Sequence, residues 1–358
     1  MEPLLIDVPL NSLSFGNVSI NILRELFERD ADIGLFPAGE VQLQAHSVSP
    51  DFQAYLQKSI NRRFDFLKKD IPSLKLWHLN GSENRRNPQQ ALYSFYECNE
   101  PTDLEVKIAS AQDAVAFSST YACDSFKKLG VDARYVPVGF DKTLVPSDEK
   151  FFDDDITHFV LMGKFEKRKH TAKIIQTWVK RYGNNPKFLL TCCVTNPFLK
   201  PEQMNQLIDS SLGKELYSNV NFLPYLNTNV EVNDLINSAD IDLTGLSGGE
   251  GWNLPAFNAT ALGKWSVVLN ATSHKDWATA ENCVLVEPCG EIPAVDGVFF
   301  QDGGAFNQGS FYSWREEDVV EAMEIALSKS KTKNIEGLKL QEKFSYKRTT
   351  DELLKLLS

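Results

Sequence analysis

The sequence feature that most constrains the fold is the stretch SGGEGWNLPAFNATALGKW, residues 247–265. It follows a short apolar segment, 241–244, that reads as a strand, and beyond Pro255 it continues into residues compatible with a helix. Glycines surround Glu250 at this strand-to-helix turn, so a ligand can reach main-chain N–H groups without a Cβ in the way. The N-terminus of the following helix adds partial positive charge. The turn therefore predicts a site where phosphate contacts the backbone and a hydroxyl-rich group contacts the carboxylate.

Strands and helices alternate over most of the chain, which is typical of parallel α/β sheets. The series opens with an apolar strand at 4–6, a glycine turn at 14–17, a helical face containing Ile20 and Leu23, and a strand at 33–36. We therefore predict an α/β fold with two doubly wound, Rossmann-like domains that face each other across a cleft. Further predicted strands lie at 74–79, 115–117, 135–137, 159–161, 188–194, 220–223, 241–244, 266–269 and 283–286, and further helices at 119–129, 171–182, 202–217 and 231–238.

Length and composition allow two hydrophobic cores, because the chain has 358 residues of which 42% are hydrophobic. The polar and acidic segment 146–155 separates the two series of strands and helices and predicts an inter-domain linker. We expect one domain over residues 1–148 and a second over 156–335. A helix over 340–358 ends in leucines that must dock on a neighbour, and we expect it to pack back toward the first domain.

Charge and cysteine content narrow the class of protein. The formal net charge is −11, and both halves carry more acidic than basic side chains, which disfavours non-specific nucleic-acid binding. The six cysteines show no paired spacing and read as buried free thiols rather than a zinc site. The N-terminus has no basic leader, and no apolar run is long enough for a membrane span. We expect a cytoplasmic location.

Three blocks of sequence carry a family resemblance. Residues 159–169 read FVLMGKFEKRK, and residues 219–265 contain NVNFLPYLNTNVEVNDLINSADIDLTGLSGGEGWNLPAFNATALGKW. Residues 118–141 read SSTYACDSFKKLGVDARYVPVGFD. In their order and spacing these blocks resemble family-4-type (group 1) retaining glycosyltransferases of the GT-B fold. The resemblance covers about residues 114–290 and is weak before them.

The resemblance implies a metal-independent retaining transfer of a sugar from a nucleotide-sugar donor to an acceptor hydroxyl. The donor would bind the second domain and the acceptor the first. Catalytic roles fall to Glu250, Lys164 and Lys169: the glutamate would bind hydroxyls of the sugar, and the lysines would stabilise charge on the departing diphosphate. Lys164 stands where the family usually has arginine. The other interpretation of this turn is a solvated basic surface, since Lys167 and Arg168 lie beside it.

Substrate-binding roles follow from the same resemblance. Backbone N–H groups after Glu250 would contact sugar and phosphate, and the family's second glutamate, which binds the ribose, is replaced here by Asn258. Loop ends after two strands would flank the nucleobase, and residues of the first domain would approach from across the cleft. The expected substrate-binding residues are Gly16, His78, Glu97, Thr195, Asn196, Tyr225, Leu226, Gly251, Trp252, Asn253, Leu254 and Asn258.

The sequence also contains a motif of another fold, and it is compatible with two other functions. Asp240-Ile241-Asp242 matches a metal–nucleotide motif of another glycosyltransferase fold, but it opens a buried strand, so no metal site is expected. No cofactor is expected beyond a UDP-, GDP- or ADP-sugar as substrate, and the acceptor (saccharide, lipid, protein or modified base) stays open. One alternative is a catalytically impaired GT-B-like binding protein. Another is a viral-type glycosyltransferase that modifies DNA, against which the acidic balance of both halves argues.

Overall fold

Two parallel six-stranded sheets form the two halves of the molecule. The computed structural model describes residues 2–153 and 155–357. Met1, Asp154 and Ser358 belong to the predicted first domain, linker and C-terminal helix, and they lie outside the described residues. The alternation of strands and helices thus produces two successive α/β layers, as predicted.

The N-terminal sheet has the strand order β2-β1-β3-β4-β5-β6, with every neighbouring pair parallel. All five residues of β1 are buried, as expected for a strand covered by helices on both faces. The strands are β1 (Leu4–Val8), β2 (Ile33–Pro37), β3 (Ser73–Leu76), β4 (Gln90–Ser94), β5 (Ala114–Phe117) and β6 (Ala133–Tyr135), and the helices are α1 (Ser14–Glu28), α2 (Pro50–Asn61), α3 (Asp103–Ser110) and α4 (Thr120–Lys127).

The C-terminal sheet has the order β12-β11-β10-β7-β8-β9 and is also parallel throughout. Its core packs Phe159 of β7 against Trp178 and Tyr182 of the following helix. The strands are β7 (Thr157–Met162), β8 (Phe188–Cys193), β9 (Val220–Phe222), β10 (Ile241–Asp242), β11 (Trp265–Leu269) and β12 (Cys283–Val286), and the helices are α5 (Thr171–Tyr182), α6 (Pro201–Leu212), α7 (Asn229–Ser238), α8 (Leu254–Ala261) and α9 (Glu316–Lys329).

Several local predictions are corrected. The predicted turn at 14–17 is the first turn of α1, which begins at Ser14. The predicted strand at 74–79 ends at Leu76, so His78 follows the strand rather than closing it. The predicted strand at 241–244 is only two residues long and gives way to a 3₁₀ turn. Strand β4 and helices α3 and α9 were not predicted.

A hairpin that the sequence did not predict connects the two halves. Strands β13 (Gly290–Pro293) and β14 (Ser310–Ser313) pair in antiparallel fashion, and we call residues 290–313 the strap. Its Phe300 and Phe311 are buried in a core cluster formed mainly by the N-terminal half. The Thr102 hydroxyl donates to the carbonyl of Ala305 (2.8 Å), and the N–H of Asn307 donates to Glu105 (2.9 Å). The strap therefore belongs to the second half by sequence and also packs against the first.

The chain ends with three short helices: α10 (Ile335–Leu338), α11 (Leu340–Lys343) and α12 (Tyr346–Lys355). The predicted helix over 340–358 is therefore broken, at Phe344. Helix α12 packs against α1, where Arg29 pairs with Asp351 at 2.7 Å. The N–H of Phe140 donates to the carbonyl of Phe344 (2.7 Å). The segment that leaves the N-terminal half thus lies beside the segment that returns to it.

The cysteines and the helix lengths complete the description. All six cysteines are free. Four are buried, but Cys289 is exposed, so the expectation of buried thiols holds only in part. No helix in the described part of the chain is both long and apolar enough to span a bilayer.

Candidate functional site

The candidate site lies where the strand order of each sheet reverses. In the C-terminal sheet this point is between β7 and β10, which are followed by loops 163–170 and 243–253. In the N-terminal sheet it lies between β1 and β3, whose loops carry Ser12 and His78. Doubly wound sheets bind ligands in the crevice at such a reversal, beyond the carboxyl ends of the strands. The topology therefore brings the sequence-predicted residues of both halves toward one cleft.

Glu250 is the centre of a buried cluster of charges. Its carboxylate lies 2.6 Å from the Lys169 ammonium and 3.1 Å from the Arg168 guanidinium. Only 5% of the Glu250 surface is exposed. Burial alone would raise the pKa of its carboxyl, but the two cations outweigh that effect and hold the pKa well below the usual range. Glu250 is therefore ionised and held in a fixed position.

Arg168 links the two loops, a role that the sequence did not predict. Its guanidinium pairs with Glu166 at 3.0 Å and also donates to the carbonyl of Gly249. The interpretation of this turn as a solvated basic surface is wrong for Arg168, which is 7% exposed. Contacts between residues 81 apart in sequence leave no local pattern. The only available signal was the single acid followed by three bases in FEKRK, residues 165–169.

Lys164 lies at the open side of the cluster. Its ammonium is 3.7 Å from Glu166. It also lies 5.2 Å from the ring centre of Phe198 and 5.5 Å from that of Phe299 in the strap. Burial lowers the pKa of Lys164, while Glu166 raises it. Lys164 and Lys169 are thus on the same loop, but only Lys169 contacts Glu250 directly.

The glycines of the turn are required by the protein's own packing. A Cβ on Gly248 would meet the carbonyl of Tyr312 in β14 and lie 2.7 Å from the His170 ring. A Cβ on Gly251 would lie 2.7 Å from that of Phe95, which belongs to the N-terminal half. The glycines therefore let the turn fit between β14 and the opposite half of the molecule. This requirement exists without any ligand, in addition to the access for a ligand that the sequence predicts.

Backbone donors are left over at the end of this turn. The N–H groups of Gly251, Trp252 and Asn253 donate to no other described residue, although all three residues are buried. Helix α8 begins at the next residue, Leu254, so these donors lie just before a helix N-terminus, where the partial charge is positive. Buried N–H groups without an acceptor are rare in proteins and indicate a ligand or water. The position is suited to an anion.

His274 holds the end of the turn. The Asn253 carboxamide lies 3.0 Å from Nε2 of His274, and Nδ1 of the same ring lies 2.8 Å from the carbonyl of Leu269. Burial lowers the pKa of His274 to about 4, while Glu250 acts in the opposite direction. A neutral ring with its proton on Nδ1 satisfies both contacts. Asn253 itself has a φ of 67°, in the left-handed region where asparagine is favoured. No sequence pattern indicated His274.

The loops expected to flank a nucleobase lie on two sides of the cleft. Asn196 is buried and its carboxamide donates to the carbonyl of Phe165 (3.1 Å), which ties the loop after β8 to that after β7. Thr195 beside it is half-buried. The Tyr225 hydroxyl donates to Oγ of Ser12 in the N-terminal half (2.7 Å). Leu226 packs at the edge of the main core.

The N-terminal half contributes two of its three predicted residues to the cleft. His78 is exposed to solvent, but the protein around it, followed by the charge of Lys164, lowers its pKa to about 4. Glu97 follows β4, and its carbonyl would lie 3.0 Å from a Cβ on Gly249. Gly16 instead lies in the first turn of α1, where a Cβ would meet the backbone of Asn11.

Trp252 and Asn258 differ in which of their groups are available to a ligand. The Trp252 ring is 2% exposed and packs against Phe257 and Phe344, so only its backbone is available. Asn258 lies on α8, and its carboxamide oxygen is buried without a hydrogen-bond partner among the described residues. A buried oxygen of this kind is free to accept a bond from a ligand hydroxyl.

The Asp-x-Asp motif is engaged within the protein. Asp240 pairs with Lys150 at 2.8 Å and accepts from the N–H of His158 at 2.9 Å. Asp242 is 1% exposed and accepts from the N–H of Thr244 at 3.0 Å. Burial, the largest effect, raises the pKa of Asp242 to about 6. Both aspartates therefore support β10 and the turn that follows it.

Solved structures with the same architecture align with essentially the whole chain. Sucrose-phosphate synthase from Thermosynechococcus elongatus aligns with a TM-score of 0.69 at 13% identity, covering 99% of this chain and 98% of that one. The UDP-forming trehalose-phosphate synthase from Burkholderia xenovorans gives 0.67 at 11% identity, with 99% and 98% covered. HepE from Anabaena, crystallised with UDP and glucose, gives 0.65 at 11% identity, again with 99% and 98% covered.

The chain has the GT-B fold. This confirms the predicted fold class of two Rossmann-like domains across a cleft. Identities this low concern the GT-B fold and not the reaction. No protein-family model matches the sequence, and no curated protein sequence matches it.

Proposed function

We propose that this protein is a metal-independent retaining glycosyltransferase that moves a sugar from a nucleotide-sugar donor to an acceptor hydroxyl. One observation carries the proposal: the N–H groups of three buried residues just before α8, which donate to no other described residue, adjoin the pair of Glu250 and Lys169 at the reversal point of a parallel sheet. Donors for a phosphate and an acceptor for hydroxyls stand within one turn of each other. HepE of the same fold was crystallised with UDP and glucose, which supports a UDP-sugar as the first donor to test.

The charge cluster gives each group a role in donor binding. The N–H groups of Gly251, Trp252 and Asn253 would bind phosphate or sugar oxygens. The Lys169 ammonium has three N–H donors and uses one on Glu250, so it can also bind a diphosphate oxygen. Lys164 would approach the same diphosphate from the open side. Glu250 would accept hydrogen bonds from the sugar hydroxyls, which its ionised state favours.

The chemistry follows from the charge that develops in the transition state. As the bond between the anomeric carbon and the diphosphate breaks, negative charge grows on the diphosphate oxygens. Fixed cations and backbone donors at that position stabilise the transition state more than the bound donor. Glu250 is held by two cations and is a poor nucleophile, so we propose a front-face displacement by the acceptor hydroxyl. That path retains the configuration of the sugar and needs no covalent intermediate.

The nucleoside would extend along α8. We propose that the free carboxamide oxygen of Asn258 accepts from a ribose hydroxyl, in place of the glutamate that the family resemblance implies. Thr195 and Asn196 on one side and Tyr225 and Leu226 on the other would then enclose the base. The acceptor would bind the N-terminal half, where His78 and Glu97 face the cleft.

Nucleotide binding is the first test of this proposal. Thermal unfolding is measured with UDP, GDP and ADP, and then with their sugar conjugates. One nucleotide is expected to raise the unfolding temperature, because a ligand at 100 times its Kd stabilises by about 2.7 kcal/mol. If none of the three changes the unfolding temperature at millimolar concentration, the proposed site is wrong.

Variants of the charged loop test the assigned roles. Lys169→Ala and Glu250→Ala are expected to reduce turnover of the donor by about 100-fold or more, since each removes a fixed charge beside the reacting bond. Lys167→Ala is the matched control: its ammonium lies on the same loop but bonds to the carbonyl of Val295 in the strap. Turnover is measured as release of nucleoside diphosphate. Near-normal turnover in Lys169→Ala and Glu250→Ala would contradict the roles.

A second candidate is a GT-B-like protein that binds nucleotide or sugar without turnover. Asn258 favours it, because an amide replaces the charged group that the resemblance implies at the ribose. A direct bond between the two halves also favours it. The Ser118 hydroxyl donates to the carbonyl of Gly251 (2.7 Å), so the halves are in contact beside the proposed donor site. Binding of a sugar nucleotide without release of the free diphosphate would support this candidate over the enzyme.

A further inference from the structure

Glu97 is a carboxyl group of the N-terminal half that faces the charge cluster of the C-terminal half. It follows β4, and its backbone packs against Gly249, the residue before Glu250. Its surface is partly open, so the side chain is accessible from the cleft while protein surrounds it. In the proposed function the donor lies on the side of Glu250 and the acceptor on the side of Glu97. Glu97 would therefore lie on the acceptor's side of the reacting bond.

The ion pairs of the cluster leave Glu97 without a partner. Three carboxylates, Glu97, Glu166 and Glu250, lie among three cations, Lys164, Arg168 and Lys169. Glu250 pairs with Lys169 and Arg168, and Glu166 pairs with Arg168 and Lys164. Glu97 makes no ion pair or side-chain hydrogen bond with any described residue. It is therefore the one carboxyl of the three whose oxygens are uncommitted.

Burial makes Glu97 a stronger base than an ordinary glutamate. Burial has the largest effect and raises the pKa of its carboxyl above the usual range; Arg168 and Lys169 act to lower the pKa, while Glu250 and Glu166 act to raise it. Tyr96 and Cys98 flank it on its own loop, and burial keeps both un-ionised by raising their pKa. Glu250 differs, since its cations hold its pKa low. Efficiency of a general base increases with its pKa as long as it remains ionised at the working pH.

We propose that Glu97 is the catalytic base of the transfer, a role that rests on the proposed function. Its carboxylate takes the proton of the acceptor hydroxyl while the acceptor oxygen forms a bond to the anomeric carbon of the sugar. The bond from that carbon to the diphosphate oxygen breaks, and its electron pair leaves with the diphosphate. The proton ends on Glu97 and the negative charge on the diphosphate, beside Lys164, Lys169 and the free N–H groups. Deprotonation by the departing diphosphate itself is the competing path.

The test uses the full chain with UDP-glucose as donor and water as acceptor. Binding of UDP is measured by calorimetry, and turnover by release of UDP and glucose. Glu97→Gln keeps the size of the side chain but cannot take a proton. Its Kd for UDP is expected to stay within about threefold of that of the unaltered chain. Its rate of UDP-glucose hydrolysis is expected to fall by about 100-fold or more. Glu97→Asp, which keeps a carboxylate, is expected to recover part of the rate.

The pH profile separates a base from a merely structural group. The base must be ionised, so turnover by the unaltered chain should fall as the pH drops through the raised pKa of Glu97. Glu97→Gln should lose this acidic limb. Glu202→Gln is the control, because Glu202 is an exposed glutamate in the first turn of α6 that the proposed function does not use, so the limb should stay in place. A limb that persists in Glu97→Gln assigns the proton to another group and overturns the role.

The outcomes distinguish this role from the proposed function. Failure of the unaltered chain to bind UDP, GDP or ADP overturns the proposed function, and the role of Glu97 with it. Binding without turnover by the unaltered chain overturns the catalytic role but keeps the nucleotide site. Equal turnover by the unaltered chain and Glu97→Gln overturns the role of Glu97 alone. Loss of turnover and of the acidic limb, with UDP binding intact, supports it.

Discussion

Arg168 shows how much of the candidate site depends on one side chain. A guanidinium presents five donors in a rigid fork, and here the fork holds Glu166, Glu250 and the carbonyl of Gly249. Through these bonds it sets the distance between the loop after β7 and the loop after β10. Its charge also keeps Glu250 ionised despite burial. Arg168 is thus a positioning residue for the groups proposed to bind the donor.

Replacing Arg168 by glutamine is expected to lower the free energy of unfolding by about 3 kcal/mol, because it leaves two buried carboxylates, Glu166 and Glu250, with one cation each instead of two. The measurement is urea unfolding at pH 7. The control is Arg181→Gln, which removes an exposed pair with Glu324 (2.7 Å) and should cost less than about 1 kcal/mol. A similar loss of unfolding free energy in both variants would show that the Arg168 contacts do not hold the two loops together.

At the residue scale, the sequence identified residues that the structure brings together where a pattern was local. The glycine turn around Glu250 was visible as a motif, and the resemblance assigned Lys169 to the same site, where the two side chains are in fact paired. Arg168 and His274 were not found. Both act through contacts with residues far along the chain, and no spacing rule connects such partners.

At the level of secondary-structure elements, the glycine turn packs between β14 and the loop after β4. The N–H of Tyr312 donates to the carbonyl of Gly248 (2.8 Å), so β14 is bonded to the turn as well as packed on it. The N–H of Gly248 in turn donates to the carbonyl of Arg168 (2.8 Å). The geometry of the candidate site therefore depends on a hairpin that lies outside the parallel sheet.

Gly248→Ala is expected to destabilise the protein by about 2 kcal/mol, since the new methyl group meets backbone atoms of β14 that cannot move aside. Gly290→Ala is the matched control, because Gly290 lies in β13 with open space around its Cβ position. That control should change the free energy of unfolding by less than about 0.5 kcal/mol. Equal thermal unfolding temperatures for the two variants would contradict the close packing at Gly248.

The predicted elements were most accurate where the hydrophobic periodicity and the turn residues indicated the same boundaries. Strand β8 and helix α5 match the predicted ranges to within a residue. Strand β4 was missed because its sequence, QALYS, is short and follows a long polar loop. The strap was missed because its strands are half exposed and its buried residues, such as Phe300, pack against the other half rather than against local neighbours.

At the scale of the whole molecule, buried histidines make stability depend on pH. His158, His170 and His274 are between 0% and 6% exposed. Burial, the largest effect in each case, lowers their pKa from 6.5 to about 4. Between pH 6.5 and about 4 the unfolded chain therefore binds protons that the folded chain does not. The free energy of unfolding must fall as the pH drops through this window.

Each buried histidine is expected to contribute up to about 1.4 kcal/mol per pH unit to that fall. His158 is the one to test, since it bonds to Thr191 (2.7 Å) away from the charge cluster. Urea unfolding of the unaltered chain and of His158→Gln is compared between pH 7 and 4.5. The variant should show a shallower loss of stability on acidification, whatever its stability at pH 7. Parallel curves would mean that His158 is not the source.

The strap has a mechanical consequence for the two halves. They are already joined where the chain crosses at Phe140 and returns at Phe344, and two adjacent crossings permit rotation about one axis. Phe300 and Phe311 add an anchor in a separate core cluster, away from that pivot. Two halves that are joined at two separate places cannot rotate apart. While the strap is seated the cleft keeps a single width, and any wider opening must first draw two phenyl rings out of the opposite half.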